Sequence, residues 1–154
     1  MKQYKNGFTM IELVFVIVVL GILAAVAVPK FAATRVDAQI SKGAADVASI
    51  RSAIVSERQS RLIKGCTGFI PLGAGTYVCN GENFDQINNG GLFGGILMYP
   101  IPNKPGEDGH WSSPNTAAGV YNFRIQGQNN SFTYTPADGK FLCTAGTDCS
   151  KLTN

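Results

Sequence analysis

The sequence contains few of the side chains that carry catalysis. It has one histidine, only 15% of its 154 residues are charged, and no nucleophile motif is present. The best candidate for a catalytic triad is Asp108, His110 and Ser112. These residues lie in one proline-rich loop, and such a grouping is more typical of a surface loop than of an active site. We therefore predict that the protein is not an enzyme and needs no cofactor.

A strong net charge is also lacking. The formal net charge is +3, and two of the cations, Lys2 and Lys5, stand near the N-terminus. The residues from Phe8 onward carry a net charge of only +1. This balance excludes a polybasic protein.

One long hydrophobic run, Phe8 to Val28, stands out against this background. It reads FTMIELVFVIVVLGILAAVAV, and Thr9 and Glu12 carry its only hydrogen-bonding side chains. A helix of this length rises roughly 30 Å, which matches the hydrocarbon core of a bilayer. The run predicts a membrane helix. The lysines that precede it place the N-terminus in the cytoplasm and the residues after Val28 outside the membrane.

Glu12 is the anomaly in this run. An ionised carboxylate at membrane depth costs about 3 kcal/mol and is by default functional, with a partner to be named. Phe8, four residues earlier, lies on the same helical face as Glu12. Phe8 becomes a cation only if the chain is cut before it, and the preceding residue, Gly7, is small enough for a protease to accommodate.

The segment KNGFTMIEL, from Lys5 to Leu13, resembles the class III signal of type IV prepilins and type II secretion pseudopilins. In that family a prepilin peptidase removes a short basic leader that ends in glycine. The same enzyme N-methylates the new first residue, and a glutamate stands at the fifth mature position. The resemblance implies cleavage between Gly7 and Phe8, methylation of Phe8 and an assembly role for Glu12. A glycine within the helix and a proline after the apolar run also match the family: Gly21 and Pro29.

The resemblance also implies a function. The chain is expected to be a structural subunit that polymerises through its N-terminal helix, with identical or related subunits, into a type IV pilus or a type II secretion pseudopilus. The implied partners are the prepilin peptidase, an inner-membrane assembly platform with its cytoplasmic ATPase and, before assembly, membrane lipid. Two alternatives stay open. One is a low-copy minor subunit whose outer domain binds DNA or a surface, and the remote one is a membrane-tethered enzyme.

An ordinary secretory signal competes for the same stretch. Lys2 and Lys5, the apolar core and the triplet Ala25, Val26 and Ala27 resemble such a signal with an A-x-A cleavage site. A glutamate inside the hydrophobic region argues against this interpretation, whereas the prepilin interpretation requires it.

The apolar pattern continues past Pro29 with a helical period. Apolar and small residues recur in steps of three and four and predict one stripe of an amphipathic helix. The members of the stripe are Val36, Ile40, Gly43, Val47, Ile50 and Ile54. We predict one long helix from Phe8 to Lys64, kinked or locally unwound between Gly21 and Pro29, with Gly65 as its C-cap.

The second half of this helix is basic. Residues 29–64 hold seven cations and three acids, whereas residues 65–154 hold four cations and six acids. Two interpretations are open. The cations form either a solvated helix face or a basic surface that docks against the acidic surface of a neighbouring subunit.

From Gly65 onward, glycine, proline, asparagine and aromatic residues replace the helical pattern. Alternation predicts strands at Val120–Ile125 and Ser131–Thr135, a turn between them at Gly127–Asn130, and a third strand at Lys140–Cys143. A further short extended piece and two loops are predicted at 76–79, 88–95 and 99–109. Trp111 is interpreted as a core anchor.

The predicted fold is therefore α+β and pilin-like. One long N-terminal helix packs against a small antiparallel sheet of three or four strands, whose aromatic face covers the apolar stripe of the helix. The predicted organisation is a leader (1–7), a membrane and filament-core helix (8–28), an amphipathic continuation (29–64) and a periplasmic, loop-rich β domain (65–154).

The cysteines agree with an oxidising location. Their number is even, and all lie on the outer side of the predicted membrane helix. Four cysteines allow three pairings, and the two shortest loops favour Cys66 with Cys79 and Cys143 with Cys149.

Metal binding receives little support. The cysteine spacings are wrong for the usual zinc ribbons, and His110 has no adjacent cysteine. Calcium stays open because major pseudopilins often have a calcium-binding loop in this region. Four acids could supply oxygen ligands, although no run has EF-hand spacing: Glu107, Asp108, Asp138 and Asp148.

Overall fold

The computed structural model describes residues 7–69, 76–79, 82–85, 91–115 and 119–153. For 76–79 and 82–85, and for Pro29, Ala32 and Asn115, it describes the backbone alone. The chain divides into two compact units, Met1–Asp37 and Ala38–Asn154. The fold is α+β, as predicted, with one long helix and antiparallel sheets.

Helix α1 runs from Met10 to Ile63. Its backbone is helical at every residue, including Gly21 and Pro29, so of the predicted kink or local unwinding the unwinding does not occur, and the kink stays a prediction. Gly65, two residues after the end of α1, has φ +84°. The amide of Gly65 donates to Leu62 O at 3.1 Å, and that of Cys66 donates to Arg61 O at 2.9 Å. These two bonds form a Schellman motif, which confirms the predicted C-cap.

Four strands form the main sheet, an antiparallel meander in the order β5-β6-β7-β8. The strands are β5 (Trp111–Asn115), β6 (Val120–Ile125), β7 (Gln128–Thr135) and β8 (Lys140–Ala145). Two small antiparallel pairs precede it, namely β1 (Thr76–Cys79) with β2 (Glu82–Asp85) and β3 (Gly91–Leu92) with β4 (Ile101–Pro102). A short helix, α2 (Cys149–Thr153), follows the sheet. The predicted strands are confirmed, whereas β2 to β5 and α2 were not individually predicted.

The predicted turn at Gly127–Asn130 is wrong. Ile125 pairs with Gln128, so the turn consists of Gln126 and Gly127, with φ values of +48° and +76°. A two-residue turn with two positive φ values matches the twist of the flanking strands. Strand β7 therefore starts three residues earlier than predicted, and Asn130 is buried within it. Its side chain donates to Phe123 O and accepts a hydrogen bond from the amide of Asp148.

The predictions of pure loops at 88–95 and 99–109 are also incomplete. The first segment contains β3 and the second contains β4, and these two strands pair with each other. Residues 88–90 lie outside the described part of the chain. Phe93, directly after β3, is 3% exposed and adopts φ +63°. Its ring lies 4.3 Å from that of Tyr121 and meets Phe141 edge to face. A positive φ is unfavourable for a residue other than glycine. Burial of the Phe93 ring in the aromatic core stabilises this backbone conformation.

The core lies between α1 and one face of the main sheet. In β6, buried Tyr121, Phe123 and Ile125 alternate with partly exposed residues, as predicted. The buried aromatic residues of the neighbouring strands complete this face: Trp111, Phe132, Tyr134 and Phe141. On α1, the last four members of the predicted stripe are buried, and Ile40 is partly exposed. The sheet thus covers the helix stripe.

Four of the seven basic residues in 29–64 contact their own domain or are buried in it, so the solvated face predicted as one alternative does not include them all; Lys30 and Arg35 are exposed. Arg51 donates from Nε and Nη2 to Phe141 O, and Lys42 donates from Nζ to Gly109 O. The guanidinium of Arg58 stacks 4.1 Å from the centroid of the Phe69 ring, and Arg61 is fully buried. Four cations of this half of the helix therefore bind their own domain.

Tyr134 lies near this buried charge. Burial raises the pKa of Tyr134 to about 12, and the positive charge of Arg61 opposes that rise. Tyr134 therefore stays a neutral phenol at physiological pH.

The C-terminal segment is closed by a disulfide between Cys143 and Cys149, as predicted. A disulfide that closes a loop of this length is expected to raise the free energy of unfolding by about 2 kcal/mol, because it restricts the unfolded chain. Cys66 is buried and disulfide-bonded. The side chain of Cys79 lies outside the described part, so the pairing Cys66–Cys79 stays a prediction.

At Gly43, α1 lies very close to the sheet and to α2. A Cβ atom at this position would lie 2.5 Å from Phe123 Cε1 and 2.6 Å from Leu152 Cδ2. We expect Gly43→Ala to destabilise the domain by about 1–3 kcal/mol through overpacking, partly offset by about 1 kcal/mol of helix propensity. The denaturant midpoint of the detergent-solubilised chain measures this effect.

Gly21→Ala is the matched control, because a Cβ atom at Gly21 meets nothing within 4 Å in this chain. It should leave the midpoint of domain unfolding unchanged. A Gly43→Ala variant as stable as the wild type would contradict the observed closeness of the helix to Phe123.

Candidate assembly site on the N-terminal helix

The first part of α1 exposes its apolar side chains on all sides. Every large apolar residue from Phe8 to Phe31 that the structure describes is exposed, and the least exposed, Val19, keeps 38% of its surface accessible. An 18-residue window of α1 has a mean hydropathy of 3.0, and none of it is buried. By length and composition, this helix can cross a membrane. A core helix of a soluble domain would instead be covered by its own chain.

A reciprocal cap starts the helix. The amide of Glu12 donates to Thr9 Oγ1 at 3.3 Å, while Glu12 Oε2 accepts from the amide and hydroxyl of Thr9, each at 3.5 Å. The amide of Leu13 donates to Thr9 O at 3.2 Å as the first helical hydrogen bond. This arrangement is a capping box, with Thr9 as N-cap and Glu12 at the third helical position.

The capping box was missed at the level of sequence, although its signal, threonine followed three residues later by glutamate, was present. It explains why the helix starts at Met10 and not at Phe8 as predicted. Gly7, Phe8 and Thr9 are not helical, so the peptide bond between Gly7 and Phe8 lies outside α1. A bond in such a segment needs no helix unwinding to enter a protease.

The cap also reduces the cost of the Glu12 charge. Its carboxylate stands in the first turn of α1, where the positive end of the helix dipole favours an anion. The hydrogen bonds from Thr9 supply local donors but no cation. A counter-ion from outside the helix therefore stays a prediction for Glu12.

The candidate catalytic residues of the outer domain do not form a triad. The carboxylate of Asp108 pairs with Arg124 Nε at 3.2 Å and accepts from the amide of Gly127 at 2.8 Å. Nδ1 of His110 lies 3.2 Å from the backbone oxygen of Asp108, not from its carboxylate. Asp108 thus anchors the β6–β7 turn.

The acids considered for calcium pair with cations of their own domain. Besides Asp108, which pairs with Arg124, three acids each pair with a nearby lysine: Glu107 with Lys104, Asp138 with Lys140, and Asp148 with Lys151. A hydrogen bond from Lys140 lowers the pKa of Asp138. Within the described residues, no group of three or more histidine, cysteine or acidic side chains is placed to hold a metal ion.

The N-terminal part of the chain is similar to a known protein family, and the chain also has curated relatives. The family model described as the prokaryotic N-terminal methylation motif matches residues 2–28. The chain is 39% identical over 54 residues to the type IV major fimbrial protein FimA of Dichelobacter nodosus, a match that covers 35% of each chain. It is 38% identical over 56 residues to a fimbrial protein of Pseudomonas aeruginosa, and this match covers 36% of each. No solved structure matches the chain.

The family-model match lies in the same part of the molecule as the exposed apolar helix. The chain matches about a third of the length of its curated relatives. The matched family carries an N-terminal methylation motif, and the relatives are fimbrial proteins. The N-terminal segment of this chain therefore carries a prokaryotic N-terminal methylation motif, and over about a third of its length the chain is similar to type IV fimbrial proteins.

Proposed function

We propose that this chain is a prepilin that becomes a structural subunit of a type IV filament. Residues 1–7 form a leader that is removed, and residues 8–28 form the core of the filament. Residues 29–64 carry the outer domain of residues 65–154, which lies in the periplasm before assembly. The exposed apolar surface of α1, next to a processing motif, is the main support for this function.

Physical chemistry indicates what must drive assembly. A helix that leaves lipid for a bundle of apolar helices gains little hydrophobic free energy, because lipid tails are as apolar as the bundle. Close packing and polar pairing must supply the difference. Gly21 and Ala25 stand four residues apart on the exposed helix, a spacing of small residues that lets two helices approach closely.

Glu12 supplies the polar pairing in this proposal. Cleavage after Gly7 creates a positively charged amine at Phe8, four residues before the capped carboxylate in the chain. In the filament, the amine of a neighbouring subunit becomes the counter-ion of Glu12. The uncut leader would remove that amine, which explains why processing precedes assembly.

A pilus is favoured over a secretion pseudopilus. The curated relatives are named fimbrial proteins, and the described acids of the outer domain are paired with cations instead of forming a metal-binding loop. We further propose that the subunit is not an enzyme and needs no metal. Its partners would be other pilin subunits, the prepilin peptidase and an inner-membrane assembly machine.

Processing gives a direct test of this proposal. We expect the intact mass of the chain extracted from membranes to lack residues 1–7 and to include one additional methyl group on Phe8. The small residue at Gly7 and the non-helical segment around it are the physical reasons. Mass spectrometry of the purified chain measures both changes.

Two variants sharpen the same measurement. Gly7→Val should retain the leader, whereas the matched Asn6→Ala should be processed like the wild type. A mature chain that begins at Val28 would identify an ordinary signal peptide and contradict the proposed function.

A further inference from the structure

Two cations follow the exposed apolar run of α1 at its C-terminal end. Lys30 and Arg35 are the first cations of the chain after Lys5, and both are exposed. In the part of the chain that the structure describes, neither side chain makes a hydrogen bond or an ion pair. Lys42 and Arg51, the next cations along α1, each bind a carbonyl of their own domain. Lys30 and Arg35, here called the cationic collar, can therefore bind a partner outside the chain.

The cationic collar lies at the depth where a membrane helix leaves the hydrocarbon. From Met10 to Lys30 the helix rises about 30 Å, which is the thickness of the hydrocarbon core of a bilayer. Arg35 lies about 7.5 Å further along the axis, and the headgroup layer of one leaflet is about 5–8 Å thick. Side chains on a helix point toward its N-terminus, so the long side chain of Arg35 extends back toward the bilayer. Both cations can therefore reach the phosphates of one leaflet.

The two cations lie on different faces of the helix. A separation of five residues rotates Arg35 by about 140° from Lys30 around the helix axis. Lipids surround a membrane helix on all sides, so the two side chains can contact different lipid molecules. Asp37 is the only acid between residues 13 and 45, and it stands two residues after Arg35, on the opposite face. The collar is thus not neutralised by its own helix.

Leader removal changes which charges flank the apolar run. Before cleavage, Lys2 and Lys5 precede the run. Cleavage after Gly7 removes both and leaves the new amine of Phe8 close in sequence to the negative charge of Glu12. The cationic collar then supplies the only lysine and arginine side chains next to the run.

We propose that the cationic collar binds anionic phospholipid headgroups at the membrane surface that faces the outer domain, and that it anchors the processed subunit before assembly. The inference rests on the proposed function, because it concerns the subunit while α1 is still in the membrane. Phosphate oxygens are strong acceptors for ammonium and guanidinium groups. Each cation near an anionic membrane surface strengthens binding by about fivefold.

Fluorescence quenching in vesicles tests this contact. The reporter is Phe31→Trp, because Phe31 is 75% exposed and stands beside Lys30. The full processed chain is reconstituted into equimolar phosphatidylglycerol and phosphatidylcholine, and one of the two lipids carries brominated acyl chains. The emission of the chain without the reporter is subtracted, since its Trp111 is fully buried in the outer domain. We expect brominated phosphatidylglycerol to quench more strongly, with an enrichment of about fivefold beside each cation.

Charge variants of the reporter chain identify the cause of this preference. Lys30→Gln combined with Arg35→Gln should abolish it, whereas Lys30→Arg should retain it because the charge is conserved. Asp37→Asn should raise the preference, since it removes the only nearby anion. Lys140→Gln is the matched control, because the Lys140 side chain is 63% exposed but belongs to β8, and the preference should not change. Raising the salt concentration from about 0.1 to 1 M should weaken the preference by screening.

Three results would overturn this inference. Equal quenching by the two brominated lipids would show that the collar does not select anionic headgroups. A reporter quenched by neither lipid would place residue 31 away from the bilayer. A preference that persists in the doubly substituted chain would assign lipid binding to other groups. In each case the proposed function stands if residues 1–7 are removed and filaments form, whereas a wild-type chain that keeps its leader and forms no filaments would overturn both.

Discussion

Replacing Glu12 by alanine is expected to abolish filament formation while membrane insertion is retained. The variant removes a charge that costs about 3 kcal/mol at membrane depth, so insertion should be unchanged or improved. Each incoming subunit would, however, bury the amine of Phe8 among apolar helices without a counter-ion. An unpaired buried charge costs about 3–5 kcal/mol, which corresponds to a hundredfold or greater loss at each addition. Shearing cells and comparing filament and membrane fractions measures the effect.

The capping box makes a second variant necessary. Glu12→Ala removes both a charge and a capping side chain, because Glu12 Oε2 accepts from Thr9. Glu12→Gln removes the charge alone, since glutamine also completes a capping box. If pairing with the Phe8 amine governs assembly, Glu12→Gln should fail like Glu12→Ala.

Two outcomes would contradict this account of Glu12. Filaments restored by Glu12→Gln would assign the role of Glu12 to helix capping. Normal filament yield from both variants would show that this carboxylate does not control assembly. Leader cleavage should persist in both, because it depends on Gly7, and intact mass provides that control.

Replacing Trp111 by alanine is expected to cause the largest loss of domain stability. Trp111 is fully buried, and its ring centroid lies 5.1 Å from those of both Phe123 and Phe132. Its Nε1 also donates to Asp46 Oδ2 of α1 at 2.9 Å. Truncation of a buried tryptophan costs about 3–5 kcal/mol, a large share of the roughly 5–15 kcal/mol that stabilises a typical domain.

Thermal unfolding of the full chain in detergent measures this loss. The midpoint should fall by roughly 10–20 °C for a domain of this size. Trp111 is the only tryptophan, so its replacement removes tryptophan fluorescence, and circular dichroism is the suitable probe.

Two further variants serve as controls. Trp111→Phe should lower the free energy of unfolding by about 1–3 kcal/mol, since it preserves an aromatic ring but leaves Asp46 without its donor. The exposed control Leu142→Ala should stay within about 0.5 kcal/mol of the wild type. A Trp111→Ala midpoint equal to that of this control would contradict the central position of Trp111.

Local signals account for the parts of the fold that the sequence predicted well. The helical period and Gly65 predicted α1 and its C-terminal cap, because both depend on residues within a few positions of each other. Alternation predicted β6 and most of β7 and β8 for the same reason. The capping box at Thr9 and Glu12 is equally local, and it could have been found by its spacing. For the candidate assembly site, the sequence indicated Gly7, Phe8 and Glu12 but not the capping role of Thr9.

Contacts between distant residues could not be predicted in this way. The turn at Gln126 and Gly127 depends on the register of β6 against β7, which decides whether Asn130 is in the turn or in the core. Phe93 is surrounded by glycines in the sequence, and only the positions of the other strands show that its ring enters the aromatic cluster. Gly43 could be assigned to a stripe, but its closeness to Phe123 and Leu152 required the packed structure.

The sequence by itself determined the long apolar helix, the N-terminal methylation motif and the alternation of the late strands, because hydropathy, short motifs and side-chain periodicity are properties of adjacent residues. The tertiary structure alone decided what the cations of α1 do. Lys42, Arg51, Arg58 and Arg61 read as a basic face. Lys42 and Arg51 bind backbone carbonyls, Arg58 stacks on Phe69, and Arg61 is buried within its own domain. A long charged side chain binds whatever partner lies within reach, and for α1 those partners come from residues that only the folded sheet brings to it.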